Sequence, residues 1–260
     1  MNMRCCGLQL AAHINHNLLI LCGDYDLYRR LENLTRIMAM TDRGVPASND
    51  RLVWYAVYGS NLRRSRFHCY IQGGKPNGAA KEYAGCRDKT PPRDTRRVML
   101  AHSLYFADHS ESWGGAIAFI RRTISDAHTY GRIYLITYGQ FNDVVRQENG
   151  RNVPGPIVVP SFDALADGDY WQIEGFRLYG GVIKIGTRHG HPILSLTAAH
   201  ENHEVGAPSE AYVKTIVTGL KETYPCMRKS KILDYLGRTQ GIHDVIRADT
   251  LNRWVLDCLA

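Results

Sequence analysis

The chain has 260 residues, 44% of them hydrophobic and 22% charged, which excludes a disordered polymer and is long enough for one sizeable core. Its formal charge of +7 comes from 32 basic residues dispersed among 25 acidic ones, so no basic run marks a nucleic-acid tail and the balance argues weakly for such a partner. The seven cysteines contain no Cys-x-x-Cys pair and match no disulfide or zinc framework, which fits a reducing, cytoplasmic setting.

Residues 1–50 differ from the rest. They hold two short helical patterns, the second from Asp24 to about Met40, and then a turn-rich stretch rising to Asp50. We expect a helical N-terminal extension here, or sequence upstream of a start at Met38 or Met40. Its apolar cluster, Leu18 to Cys22, falls short of a signal-peptide core and further short of a membrane span.

A strand is predicted over 53–58 (VWYAVY), followed by a Gly59-Ser60-Asn61 turn and a helix over 62–71 that stops at Gly73-Gly74. A Pro-rich polar loop comes next. Strands are then expected over 98–106, 115–121 and 131–138, rich in β-branched and aromatic residues. Thr137 with Gln140 three positions on forms a capping box for a short helix. Phe141, Val144 and Val145 recur on it at helical spacing, and Gln147-Glu148 lie at its end before Asn149-Gly150. Two more strands, over 176–187 and 193–197, precede helices over 208–224, 229–236 and 249–256. Strands gathered ahead of a helical tail, without βαβ alternation, predict α+β.

A strand running into Gly-Ser-Asn before a helix presents successive backbone amides beside a helix start, suited to a carboxylate or a developing oxyanion. Gly59 lets the backbone approach a ligand closely, and Ser60 or Asn61 can equally serve only as a helix cap. Tyr58 and Trp113 are candidates for a pocket wall or for plain core. The Arg87-Asp88 pair can clamp a substrate carboxylate or pin its loop. His189, His191, His200 and His203 lie close together in sequence with Glu201 and Glu204, but the spacing does not match His-Glu-x-x-His, and exposed loop histidines explain them as well. The segment from Lys229 resembles a helix-turn-helix only superficially, because its second half is mostly apolar or neutral, so packing against a barrel is expected instead.

Several of these pieces together resemble the γ-glutamylcyclotransferase-like family. They are Tyr58-Gly59-Ser60-Asn61 at the end of the first strand, the Trp113-Gly114-Gly115 strand, and the segment from Ile136 that ends in Gln147-Glu148. A bacterial subgroup is also similar through Arg66-Phe67-His68-Cys69-Tyr70, Gly73-Gly74 and Tyr83 to Asp88. The likeness covers about residues 53–150 well and 176–236 loosely. It implies a small mixed β-barrel with flanking helices over 51–260, and a cofactor-free, metal-free enzyme acting on a small γ-glutamyl-type substrate. It further implies Glu148 as general acid and base, with Tyr58, Gly59, Ser60, Asn61 and Trp113 binding the substrate. One departure is that Asn149 follows the acid where the family places a glycine. An amidohydrolase or deacylase that uses water, and a non-catalytic binding module, are the alternatives. The oligomeric state is not fixed by the sequence.

Overall fold

β1, Leu52–Val57, is apolar throughout, and from Val53 onward every residue is buried. A strand covered on both faces reads this way. In the computed structural model, which describes residues 49–76, 82–150, 162, 165–176, 178–243 and 245–259, β1 lies inside a six-stranded mixed sheet. The chain divides into two compact units, Met1–Pro46 and Ala47–Ala260. The predicted N-terminal helices fall outside the described residues.

β2 (Asp94–Ser110) and β3 (Gly115–Thr137) form a long antiparallel hairpin, and β3 pairs antiparallel with β1. On its other edge β1 runs parallel to β6 (His191–Thr197), which continues through β5 (Gly181–Arg188) to a short edge strand, β4 (Tyr170–Gln172). The order is therefore β2-β3-β1-β6-β5-β4. Alternation along β1 divides its side chains between two layers. Tyr55 packs against Phe67 of α1 (Arg64–Gln72) and Phe141 of α2 (Tyr138–Glu148), with ring centroids 5.8 and 5.6 Å apart. Trp54, Ala56 and Tyr58 join the core cluster with Tyr212, Val213 and Ile216 of α3 (Glu210–Thr223).

The fold is α+β with flanking helices, as expected, but the sheet does not close into a barrel. Among the described residues no ladder joins β2 to β4. Side chains instead tie β3 to the other half of the sheet: Thr197 Oγ1 of β6 donates to the Ile120 carbonyl at 2.5 Å, and the Arg122 guanidinium lies 3.7 Å from the ring centroid of Tyr170 in β4 while bonding the Ala199 carbonyl. Two predicted strands, 115–121 and 131–138, are one. Arg122 to His128 is polar and largely exposed, which breaks the apolar pattern, yet β2 keeps pairing with it through register shifts at Leu100/His102 and His102/Leu104. β4 was not foreseen, since three half-exposed residues carry no periodicity.

The helical tail packs as expected. Ile232 and Leu236 of α4 (Lys229–Gly237) and Leu251 and Val255 of α5 (Ala248–Leu256) belong to the same core cluster as α3. Among the described residues no helix is long and apolar enough to cross a membrane.

Candidate functional site

The Gly-Ser-Asn turn is a 3-10 turn, Ser60–Leu62, with Gly59 at its N-cap. Leu62 and Arg63 amides close it onto the Gly59 and Ser60 carbonyls at 3.0 and 3.2 Å. Turns of this kind leave their first amides, those of Ser60 and Asn61, without a partner inside the turn. Gly59 has an ordinary negative φ, so a positive φ is not what calls for glycine here. Close approach does: a Cβ on Gly59 would sit 2.9 Å from the Tyr212 hydroxyl. The Tyr134 hydroxyl fixes the turn from below by donating to the Asn61 carbonyl at 3.0 Å.

α2 brings the carboxylate. Its capping box forms as the sequence predicted, with the Gln140 amide donating to Thr137 Oγ1 at 3.1 Å and the Thr137 amide to Gln140 Oε1 at 3.0 Å. The helix then runs eleven residues to Glu148. Its end is held in place on two sides. Gln147 Nε2 donates to the Tyr70 carbonyl at 2.8 Å, and Asn149 exchanges two bonds with the Tyr179 backbone at 2.9 and 3.0 Å. The residue that departs from the family pattern is thus the one that ties the helix end to the loop before β5.

Glu148 meets the turn directly. Asn61 Nδ2 donates to its Oε1 at 2.6 Å, and the Tyr70 hydroxyl donates to its Oε2 at 3.0 Å. As a whole residue Glu148 is half-buried, but its carboxylate is enclosed. Burial pushes its pKa up to about 7, against the opposing influence of Arg66 and of the bonds from Tyr70 and Asn61. A carboxyl in that range exchanges protons readily at neutral pH.

One cavity, of about 30 Å³, is lined by Tyr55 to Asn61 along the first strand and turn, and by Glu148, Tyr179, Leu196 and Tyr212. Of the residues singled out in the sequence, Tyr58, Gly59, Ser60, Asn61 and Glu148 therefore come together. Tyr58 donates its hydroxyl to the Leu196 carbonyl at 2.6 Å, so it offers aromatic surface rather than a free hydroxyl. Asn61 is only 5% exposed, and with its Nδ2 held by Glu148 its Oδ1 is buried without a hydrogen-bond partner. Trp113 is not on this wall. Its ring centroid is 4.7 Å from that of Tyr212 and 4.5 Å from the Arg66 guanidinium carbon.

Sequence reasoning gave no role to Arg66, Tyr70, Tyr83, Tyr179 or Tyr212. Arg66 and Tyr70 stand four apart on α1, a spacing that places both on one face, and this was the available signal. Tyr179 and Tyr212 reach the cavity only through long-range packing and left none.

Other candidates have structural partners. Arg87 binds Asp143 of α2 through its amide at 2.9 Å and its guanidinium at 3.1 Å, while Asp88 caps Thr90 at 2.9 Å. The pair pins the loop. His203 Nδ1 lies 3.2 Å from Asp108 Oδ2, its ring stacked on Phe119, and His189 occupies the turn between β5 and β6 at φ 49°. Among the described residues no group of three or more His, Cys, Asp or Glu side chains is placed to hold a metal ion.

No family model matches the chain. It is 38% identical over 189 residues to Histone deacetylase 5 of Arabidopsis thaliana, across 65% of this chain. Among solved structures it is similar to a γ-glutamyl cyclotransferase at 21% identity, covering 70% of this chain and 86% of that one with a TM-score of 0.43. An uncharacterised Homo sapiens protein follows at 20% identity, 71% and 86% coverage and a TM-score of 0.42. YkqA of Bacillus subtilis is at 16% identity, 72% and 53% coverage and a TM-score of 0.37. The chain spans about 28% of the length of the curated plant relative it matches.

Proposed function

We propose that the protein is a γ-glutamyl cyclotransferase or a closely related amide-cleaving enzyme, working by intramolecular attack within a γ-glutamyl amine or metabolite. The observation that carries this reading is the 2.6 Å bond between Glu148 and Asn61, which puts an enclosed carboxylate and the Gly59–Asn61 bend on one cavity.

The chemistry needs no enzymatic nucleophile. Glu148 takes a proton from the substrate α-ammonium, the freed amine attacks the substrate's own side-chain amide carbon, and a five-membered ring forms. Negative charge then develops on the former carbonyl oxygen, where the amides that the turn does not use for its own bonds, those of Ser60 and Asn61, can meet it. Glu148 returns its proton to the departing nitrogen and takes the remaining extra proton from the ring nitrogen, the C=O re-forms as the original C–N bond breaks, and 5-oxoproline leaves with the amine, which carries that last proton off Glu148 as an ammonium. Asn61 Oδ1, an acceptor buried without a partner, suits a second N–H of the same ammonium. Holding the two reacting ends of one molecule together is worth roughly 7 to 11 kcal/mol, and a positioned base about 10²- to 10⁴-fold in rate.

A second reading has one specific support, the plant relative's name. The same carboxylate could activate water to hydrolyse an acyl amide. Products separate the two readings. Incubation with γ-glutamyl amines is expected to release 5-oxoproline, and release of free glutamate, or of acetate from acetyl-lysine peptides, would overturn cyclisation in favour of hydrolysis. Glu148→Gln should bind substrate and lose turnover. Equal turnover in that variant removes Glu148 from the mechanism.

A further inference from the structure

Behind Glu148, on the side away from Asn61, three side chains line up. Arg66 Nη2 donates to the Tyr83 hydroxyl at 2.7 Å, the Tyr83 and Tyr70 hydroxyls are 3.2 Å apart, and Tyr70 lies 3.0 Å from Glu148 Oε2. Arg66 is 7% exposed. It is braced by Ser60 Oγ, which accepts from its Nε at 3.0 Å, and by the Trp113 ring.

Counting protons fixes the direction of this row. A phenol has one proton to donate and a guanidinium can only donate. When Glu148 is ionised it can only accept, so the Tyr70 proton goes to Glu148. The bond between the two phenols must then use the Tyr83 proton, and Tyr83 in turn accepts from Arg66. Every bond points the same way, from cation to anion, and aligned bonds of this kind polarise one another. Protonating Glu148 breaks the alignment. A proton on Oε2 would go to Tyr70, Tyr70 would donate to Tyr83, and the Tyr83 oxygen would receive two donors while its own proton lost its acceptor; a proton on Oε1 would leave Tyr70 a weaker, uncharged acceptor.

We propose that Arg66, Tyr83 and Tyr70 form a one-way hydrogen-bond wire that favours the ionised form of Glu148 and so sets the proton affinity of the carboxylate without touching substrate. Tyr70 and Tyr83 are positioning residues in this arrangement. The inference deepens the reading of Glu148 as acid and base, yet its physical content holds whether or not the protein is an enzyme.

The wire is separable from the rest of the carboxylate's surroundings. Tyr55 of β1, Tyr58 just after it, Tyr179 before β5 and Tyr212 of α3 also surround the site, but burial first and the Glu148 charge with it push all four phenols up, so they stay neutral near pH 7 and add no charge of their own. Asn61 is neutral. Arg66 is the cation whose charge acts on the site, and burial likewise keeps the Tyr70 and Tyr83 phenols protonated.

The test is a carboxyl-carbon NMR titration of Glu148 in ligand-free, full-length protein with ¹³C-labelled glutamate, the resonance being assigned by its loss in Glu148→Gln. Tyr70→Phe removes the bond to Oε2 and should raise the midpoint by about one pH unit or more, the scale of a hydrogen bond to a charged group. Tyr83→Phe keeps the ring stack on Tyr70, whose centroid is 4.2 Å away, and leaves Glu148's own contacts intact. It should still raise the midpoint, by a few tenths of a unit, the scale of bond-to-bond polarisation. Tyr179→Phe, outside the wire, should leave it unchanged. A Tyr83→Phe midpoint equal to wild type overturns the wire even if Tyr70→Phe behaves as expected, and an equal rise in Tyr179→Phe does the same. Because Tyr83 is only half-buried, its variant is the one to rely on should Tyr70→Phe fold poorly. If the midpoints move as stated while no amide-cleaving activity is found, the wire stands and the enzymatic reading falls.

Discussion

α2 carries two carboxylates five residues apart, and they are held in opposite ways. Asp143, in mid-helix, faces an arginine: Arg87 approaches with amide and guanidinium together, and Arg146 adds a looser contact at 3.8 Å. Glu148, at the helix end, is bonded only by neutral donors, while its cation, Arg66, acts across two phenols. Direct pairing to a guanidinium through two hydrogen bonds fixes a carboxylate in place and makes it a pin. Enclosure with indirect pairing leaves the second carboxylate able to gain or lose a proton near neutrality. The lesson is that partner chemistry, more than position on the helix, separates a structural acid from a candidate catalytic one.

The sharpest way to break this contrast is to neutralise each acid in turn. Glu148→Gln should lower turnover of a γ-glutamyl amine by about 10²- to 10⁴-fold, measured as 5-oxoproline release, with substrate affinity largely kept. Asp143→Asn should keep most turnover per folded molecule. Its cost should appear as stability, about 1 to 3 kcal/mol in urea denaturation, because the Arg87 loop loses its main anchor. If the two variants exchange phenotypes, the assignment of pin and proton carrier is wrong.

Stability against pH sharpens the same comparison. Glu148 has a raised pKa in the folded protein, so its carboxyl favours folding fully below about 4.5, its ordinary value, and that contribution is lost as pH rises through about 7. The amount is on the order of 3 kcal/mol. Glu148→Gln removes the penalty while Gln can still accept from Asn61. The variant should therefore match wild type near pH 4.5 and exceed it above pH 7 in thermal melts. For activity the sign reverses: the base must be ionised, so kcat/KM should rise with pH through about 7.

How far this contrast was visible beforehand depended on range. The capping box of Thr137 and Gln140 and the termination at Asn149-Gly150 are local, and both form where the sequence placed them. Gly59, Asn61 and Glu148 were singled out from short motifs, and they meet because β1 and α2 share a packing layer around Tyr55 and Phe141. The pin on Asp143 was half-visible, since the Arg87 loop was marked but its partner, 56 residues on, was not. The row from Arg66 to Tyr70 was not recognised, although both residues lie four apart on one predicted helix, because its middle member comes from the Pro-rich loop through Tyr83. Barrel closure failed for a similar reason. Whether the outer strands β2 and β4 pair is a long-range matter, as is the contact of Arg122 in β3 with Tyr170 in β4, and neither leaves a periodic trace.

The smallest expected effect concerns Gly59, where the comparison turns from the acids to the surface they face. Gly59→Ala would put its Cβ 2.9 Å from the Tyr212 hydroxyl, and that hydroxyl is not free to withdraw, because it accepts from the Ala118 amide at 3.2 Å. The variant should lose about 1 to 3 kcal/mol by overpacking. Combining it with Tyr212→Phe removes the clashing oxygen but strands the Ala118 amide, so the pair should recover only part of the loss in a double-mutant cycle. Full recovery would mean that the hydroxyl alone demands glycine at this position. No recovery would mean that the backbone itself requires it, and the bend would then owe its shape to its own conformation rather than to the wall that α3 presents.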